Sequence, residues 1–232
     1  MAKGKLIVIE GIDGCGKTTL YNGLMEHYGD DAPFKFIENE TELMDAKRLK
    51  YISKSILNDY NGTSSRSCGI PFDSDLQISL INLAHFFTIR AQIKKWLNEG
   101  YHCVAVRWYI STLAYNIDPR DQSMIDAFMT LIHELDMDPD LVLYLDTNIR
   151  LVLDNIRKRA TNDSGEVDKH KISIYENKEK LSKVLDHYSF FLVNGRIYGS
   201  VARLPIHSND DYPELLNAAI TRINNLIGEN ND

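Results

Sequence analysis

The sequence lacks an excess of positive charge, long apolar runs and a cysteine framework. Its formal net charge is −7, which argues against a broad DNA- or RNA-binding surface, although local charge still decides whether a small anionic nucleotide binds. No stretch approaches the ~18 consecutive apolar residues of a membrane span, and the N-terminal apolar run is too short for a secretion signal. The three cysteines, Cys15, Cys68 and Cys103, have no metal-ligand spacing, and their odd number favours a reducing compartment. We therefore expect a cytoplasmic protein with no membrane segment and no nucleic-acid partner.

Short apolar runs alternate with amphipathic patterns along the chain. This alternation predicts an α/β fold with about five parallel strands and helices on both faces of the sheet. The predicted strands are 5–10, 34–37, 102–106, 141–146 and 202–207, and the predicted helices are 17–28, 75–98, 148–159, 173–192 and one that starts near Tyr212 and stops before Gly228. Pro205 predicts that the last strand lies at a sheet edge or is interrupted. We interpret residues 1–232 as one domain, with a polar lid at about 160–172.

The segment IEGIDGCGKTTL, residues 9–20, carries the strongest motif. Gly11, Gly16, Lys17 and Thr18 match G-x-x-x-x-G-K-[ST], with an apolar strand before them and a helical pattern after them. In such a loop, backbone N–H groups surround a phosphate, lysine reaches the outer phosphates and threonine helps to hold Mg²⁺. The alternative is a tight glycine turn without a ligand. The predicted ATP phosphate site comprises Gly11, Asp13, Gly14, Cys15, Gly16, Lys17, Thr18 and Thr19, with Thr18 as the metal ligand.

The opening LIVIEGIDGCGKTTL resembles that of thymidylate kinases, the P-loop nucleoside monophosphate kinases that phosphorylate dTMP from ATP. The resemblance extends with gaps over roughly residues 4–227, through FFTIRAQI (86–93), RWYISTLAY (107–115), DPDLVLYLDT (138–147) and RKRA (157–160). It implies a P-loop kinase fold, ATP with Mg²⁺ and a deoxynucleotide acceptor. Because members of the family usually dimerise, it also implies a homodimer. It also implies that Asp13 contacts the acceptor's sugar hydroxyl, the alternative being an aspartate that caps the loop.

Two segments resemble the family's acceptor site. The resemblance implies that Phe86 stacks on the pyrimidine and Arg90 bonds to its edge; the alternative is a core phenylalanine and a solvated arginine. It also implies that Arg107 contacts the acceptor phosphate, that Thr112 lies near the base and that Tyr115 packs on the deoxyribose. For Arg107, the alternative is a surface ion pair.

Charge for the transferring phosphoryl group is expected from the lid. Gly14 and Cys15 supply no cation, and the resemblance assigns Arg157 and Arg159 to the lid that closes over ATP. The alternative is that these cations complement the helix dipole. Lys169 and Lys171 are further lid cations. The predicted catalytic residues are Lys17, Arg107, Arg157 and Arg159.

The sequence departs from the family pattern at two places. Val106 stands where the family has an aspartate that supports magnesium, which leaves open a nucleotide-binding homologue with impaired catalysis. The segment FIENETELMDAKR (36–48) has no arginine before Arg48 and contains Glu38, Glu40 and Glu42, where the family holds the acceptor phosphate with arginine. Carboxylates there suit a hydroxyl acceptor, as in deoxynucleoside kinases, so that activity is the second hypothesis. The third and weaker hypothesis is a P-loop ATPase that acts on macromolecules.

Overall fold

Five parallel strands form the centre of the protein. The computed structural model describes residues 3–29, 32–37, 90–136, 138–161, 165–168, 176–193, 197 and 199–228. The described strands are β1 (Leu6–Glu10), β2 (Phe34–Ile37), β3 (His102–Val106), β4 (Leu141–Thr147) and β5 (Ser200–Ile206), in the order β2-β3-β1-β4-β5. All five residues of β1 are buried, which explains the continuous apolar run in its sequence. The predicted five-stranded parallel sheet is confirmed.

The glycine loop starts where the chain leaves the middle of the sheet. β1 lies between β3 and β4, with Leu6 opposite Cys103 and Glu10 opposite Tyr144. After β1 the chain continues to β2 at one edge of the sheet, and after β4 it continues to β5 at the other edge. This reversal of direction opens a crevice at the carboxyl ends of the central strands. This crevice is where ligands bind in open α/β sheets.

Helices cover both faces of the sheet. They are α1 (Lys17–Tyr28), α2 (described over 90–98), α3 (Tyr109–Asn116), α4 (Gln122–Glu134), α5 (Ile149–Ala160), α6 (Lys178–Val193) and α7 (Tyr212–Ile227), with a short 3₁₀ turn at Asn209–Asp211. On one face α1 and α7 contact each other, α1 lying against β1–β3 and α7 against β4 and β5. On the other face α6 packs on α3 and α5. The sequence did not predict α3 or α4.

Local signals explain several boundaries. The side chain of Asn148 accepts a hydrogen bond from the N–H of Leu151 and caps α5. α7 has proline in its first turn and ends at Gly228, which adopts φ 81°. Pro205 lies in β5, which pairs only with β4 in the described sheet, so the predicted edge position is confirmed.

The described part of the predicted lid is short. Thr161 and Val167 form an antiparallel bridge, and the N–H of Asp168 donates to the carbonyl of Ala160 at 2.9 Å. The acidic segment with Glu38, Phe86, which is predicted to bind the base, and the predicted lid cations Lys169 and Lys171 lie outside the described residues. Among the helices that the structure describes, none combines the length and the apolar character that a bilayer crossing requires. The division into a single domain stays a prediction.

Candidate active site

The glycine loop has a backbone that only glycine adopts easily. Gly11, Gly14 and Gly16 have φ values of 146°, 81° and 98°. At Gly14, a Cβ atom would lie 2.9 Å from Cγ1 of Ile156 and 3.1 Å from the carbonyl oxygen of Val152. Glycine therefore allows both the loop turn and the close approach of α5.

The loop delivers the N-terminus of α1 to the crevice. Gly16 is the N-cap, and no side chain caps this end of the helix. The first N–H groups of a helix have no acceptor within it, and they carry the positive end of its dipole. Thr18 and Thr19 are exposed at this end. The arrangement is suited to binding a phosphate.

Lys17 lies under the loop and is 7% exposed. Its Nζ atom donates to the carbonyl oxygens of Gly11 at 2.9 Å and Ile12 at 2.8 Å, and it lies 3.8 Å from Sγ of Cys15. Burial lowers the pKa of Lys17, and the charge of Arg107 lowers it further. The ammonium is thus held at the base of the loop by two backbone oxygens.

A cavity of about 590 Å³ opens in front of the loop, within the size range of small-molecule sites. We call it the P-loop cavity; it is lined by Asp13, Gly14, Gly16, Lys17, Thr18, Thr19, Val106, Arg107, Asn155, Arg159 and Asn209. It brings together most of the residues predicted to bind phosphate, with Arg107 and Arg159. Arg157 is exposed and does not line it.

Asp13, Arg107 and Tyr115 form one cluster at the cavity. Arg107 donates from Nη2 to Oδ1 of Asp13, and its guanidinium carbon lies 5.4 Å from the centre of the Tyr115 ring. The hydroxyl of Tyr115 donates to Oδ2 of Asp13 at 3.1 Å and accepts from the Asp13 N–H at 3.0 Å. Burial raises the pKa of Tyr115, so its phenol keeps its proton. The cluster fixes a cation beside the glycine loop.

The backbone of Arg107 is strained. Its φ is 68°, in the left-handed region that side chains other than glycine seldom adopt. Its N–H donates to the carbonyl of Ile9 in β1 at 3.0 Å. Strained residues cluster at functional sites, so the left-handed φ supports a functional role for the Arg107 side chain at the end of β3.

Two asparagines that the sequence reasoning missed also line the P-loop cavity. Asn155 of α5 donates from Nδ2 to the carbonyl of Gly14 at 3.0 Å, and Asn209 donates from Nδ2 to Oδ1 of Asn155 at 3.1 Å. They connect the glycine loop to α5 and to the turn after β5. Asparagine is common at such positions, so no sequence signal separated them from ordinary polar residues.

Arg159 reaches the cavity from the last turn of α5. It donates from Nη2 to Oε1 of Glu176 at 2.5 Å. The Arg159 side chain is 55% exposed, whereas that of Glu176 is 5% exposed. A buried carboxylate thus holds a solvent-facing cation at the cavity.

The residues present fit a magnesium ion held mainly by its nucleotide. Thr18 offers a hydroxyl at the P-loop cavity, Val106 offers no oxygen, and Asp146 is absent from the described lining. No group of three histidine, cysteine or acidic side chains with metal-site geometry occurs among the described residues. Mg²⁺ usually keeps several waters and binds substrate phosphates, so an ion held mainly by its nucleotide is compatible with a single threonine hydroxyl from the protein.

The predicted base-binding residues are not assembled in the described part of the chain. Arg90 donates from Nε to the carbonyl of Leu135 at 2.7 Å and lines a separate cavity of about 100 Å³ with Trp108. Thr112 is half-buried on α3, and Phe86 lies outside the described residues. Their roles toward a base stay predictions.

A parallel sheet whose central strand runs into a G-x-x-x-x-G-K-T loop at a helix N-terminus, with arginines around the cavity, defines a P-loop phosphotransferase. The family model for thymidylate kinase matches residues 9–196 of this chain. The chain belongs to the thymidylate kinase family.

Individual proteins agree with this assignment. The thymidylate kinase of Legionella pneumophila (strain Corby) is 33% identical over 168 residues, which cover 69% of this chain and 72% of that protein. The structure of thymidylate kinase from Candida albicans superposes with a TM-score of 0.61 at 20% identity, covering 97% of this chain and 95% of that one. Deoxyadenosine kinase from M. mycoides, solved with bound dCTP, has a TM-score of 0.54 at 16% identity, covering 95% and 99%. The fold is therefore shared by both kinds of kinase, and the sequence match decides the family.

Proposed function

We propose that this chain transfers the γ-phosphoryl group of ATP to dTMP, giving dTDP and ADP. The family match supports this reaction. The single structural observation that carries it is the meeting of the glycine loop, Lys17 and the Asp13–Arg107–Tyr115 cluster at one cavity. Phosphoryl transfer requires little covalent chemistry from a protein, but it requires positioning and positive charge along the line between donor and acceptor.

The donor phosphates bind at the N-terminus of α1. The loop N–H groups and the helix dipole hold the β- and γ-phosphates, and Lys17 exchanges its carbonyl contacts for phosphate oxygens. Thr18 would hold Mg²⁺, which neutralises charge on the β- and γ-oxygens when bound. This places the γ-phosphoryl group toward Arg107.

The acceptor binds on the side of Arg107 that faces away from the donor phosphates. The guanidinium contacts the acceptor phosphate and the transferring group, while Asp13 and Tyr115 fix its direction. Asp13 also accepts a hydrogen bond from the sugar hydroxyl, and the Tyr115 ring packs on the deoxyribose. Arg107 therefore lowers the repulsion between two anions that must approach each other.

Arg159 supplies positive charge on the donor side. Its side chain lines the P-loop cavity and is 55% exposed, and the buried Glu176 carboxylate holds the guanidinium there to face the γ-phosphate. The predicted role of Arg157 is kept as a weaker proposal, because that side chain is exposed outside the cavity lining.

Two alternatives are favoured by specific residues. A deoxynucleoside kinase is suggested by the acidic segment at Glu38, which lies outside the described residues. A binding protein without turnover is suggested by Val106, which places an apolar side chain at the cavity.

An acceptor panel separates these activities. Purified full-length protein is given ATP with titrated MgCl₂ and either dTMP, dUMP, dCMP, dAMP, dGMP or thymidine, and ADP release is followed by a coupled assay. We expect turnover with dTMP and none with thymidine. Turnover of thymidine alone would establish the nucleoside kinase, and binding of ATP and dTMP without ADP release would establish the binding protein.

The homodimer and the cytoplasmic location are further proposals that rest on the family resemblance. Light scattering during size-exclusion chromatography tests the first: a mass of one chain, 26.6 kDa, would refute the dimer.

A further inference from the structure

Glu10 is the last residue of β1, directly before the glycine loop, and it is fully buried. Its carboxylate accepts four hydrogen bonds. Oε1 accepts from the N–H groups of Trp108 at 2.6 Å and Ser111 at 3.3 Å. Oε2 accepts from the hydroxyls of Ser111 at 2.6 Å and Tyr188 at 2.9 Å. A buried carboxylate with all of its oxygens engaged is an ordered part of the structure.

These bonds hold the strained turn at Arg107 from both sides. The N–H of Arg107 donates to the carbonyl of Ile9, and the next N–H, that of Trp108, donates to Glu10. Two successive amides are thus tied to two successive residues of β1. A left-handed conformation in a residue other than glycine persists only where its surroundings impose it, and here β1 imposes it.

The same carboxylate orients the Arg107 side chain through Ser111. The Ser111 hydroxyl donates to Glu10 and so presents its lone pairs to its two other neighbours, the Tyr188 hydroxyl at 2.9 Å and Nη1 of Arg107 at 3.5 Å. Nη2 is bound by Asp13 on the other side. The guanidinium is therefore held between the glycine loop and a serine that Glu10 orients.

We propose that Glu10 is a positioning residue for phosphoryl transfer, which fixes the backbone turn of Arg107 through Trp108 and the direction of its guanidinium through Ser111. The role in phosphoryl transfer rests on the function proposed above, whereas the positioning of Arg107 by Glu10 does not. Burial raises the pKa of Glu10, and the hydrogen bonds from Ser111, Tyr188 and Trp108 oppose that rise. The ionised form is the one that uses all four donors.

The test is the isosteric substitution Glu10→Gln. The glutamine carbonyl still accepts from both backbone N–H groups, but its NH₂ group forces the Ser111 and Tyr188 hydroxyls to reverse. We expect kcat for dTDP formation to fall roughly 10- to 100-fold, the size of couplings within one hydrogen-bond network, with both KM values nearly unchanged. Tyr144→Phe is the matched control, because the buried Tyr144 hydroxyl has no hydrogen-bond partner among the described residues and Tyr144 lies opposite Glu10 in the sheet. It should leave kcat unchanged.

A double variant separates positioning from general support of the fold. In an Arg107→Ala background, Glu10→Gln should lower kcat little further, because the residue that it orients is gone. A full multiplicative loss would overturn the proposal, and so would a wild-type kcat in the single variant. If Glu10→Gln does not fold, Ser111→Ala replaces it. This change removes the serine hydroxyl and keeps both backbone hydrogen bonds to Glu10, and the same fall in kcat is expected.

Crystal structures of wild type and Glu10→Gln give a readout independent of activity. We expect the Arg107 guanidinium in the variant to lose its contact with Ser111, while the left-handed φ stays because the backbone hydrogen bonds are kept. An unchanged Arg107 would overturn the inference whatever the acceptor. Failure of the proposed function instead shows as wild-type protein that makes no dTDP, so the two failures are distinguishable.

Discussion

Removing one oxygen from Tyr115 tests the cluster that carries the acceptor side of the site. In Tyr115→Phe, the N–H and the Oδ2 atom of Asp13 each lose a partner, at 3.0 and 3.1 Å, while the aromatic ring stays in place. A neutral hydrogen bond contributes about 1 kcal/mol and one to a charged group about 1.5–3 kcal/mol. Because the Asp13 side chain is 29% exposed, water replaces part of the lost hydrogen-bond energy.

The expected net loss is about 1–2 kcal/mol of transition-state stabilisation, which corresponds to a fall of roughly 5- to 30-fold in kcat/KM for dTMP. The KM for ATP should stay near the wild-type value. Steady-state kinetics with ADP release coupled to NADH oxidation measures both. The ring is retained, so its proposed packing on the deoxyribose should also be retained.

Tyr109→Phe on the same helix is the matched control. Its hydroxyl bonds to Oδ1 of Asp138 at 3.2 Å, away from the glycine loop. This variant should lose stability to urea but keep both kinetic constants. Equal kinetic losses in the two variants, or wild-type kcat/KM in Tyr115→Phe, would refute the assigned role of the cluster.

Three further predictions concern the loop and the lid. Gly14→Ala should lose about 1–3 kcal/mol of unfolding free energy in urea because its Cβ would clash with α5. Gly29→Ala, also at positive φ, should lose less, because no atom of the described residues would lie within 4 Å of its Cβ beyond its chain neighbours; equal losses would contradict the close approach. Lys17→Met should cut turnover at least ~100-fold while the far-ultraviolet circular dichroism stays native, and robust turnover would exclude Lys17 from the site. Arg159→Ala should lower kcat about 10- to 100-fold, and Arg157→Ala, whose side chain lies outside the cavity lining, should lower it less in the same assay; the reverse order would contradict the assignment of Arg159 to the cavity.

The sequence predicted the features that depend on neighbours along the chain. The β1–loop–α1 unit is encoded by an apolar run, glycines at fixed spacing and a helical pattern. The sequence therefore predicted both its position and its phosphate-binding role. The edge position of β5 followed from Pro205, and the end of α7 from Gly228. The short helix α3 was missed because its residues, YISTLAYN, include β-branched and aromatic side chains that favour helix only weakly.

The remaining parts of the site depend on the order of the strands. Glu10 and Ser111 are 101 residues apart, and they meet because β1 and β3 are neighbours in the sheet. Asn155 reaches Gly14 because α5 packs on the loop. Nothing local in the sequence marks a positive φ at Arg107, which long-range hydrogen bonds impose. A glutamate that ends an apolar strand therefore carries no local signal of this role.

The most direct test of the central claim is the identity and stoichiometry of the products. Full-length protein is incubated with ATP, Mg²⁺ and dTMP, and all nucleotides are separated by anion-exchange chromatography. The account predicts that dTDP and ADP appear in equal amounts, and that thymidine in place of dTMP gives neither product. Formation of dTMP from thymidine without dTDP formation from dTMP, or ADP release without a phosphorylated acceptor, would contradict it.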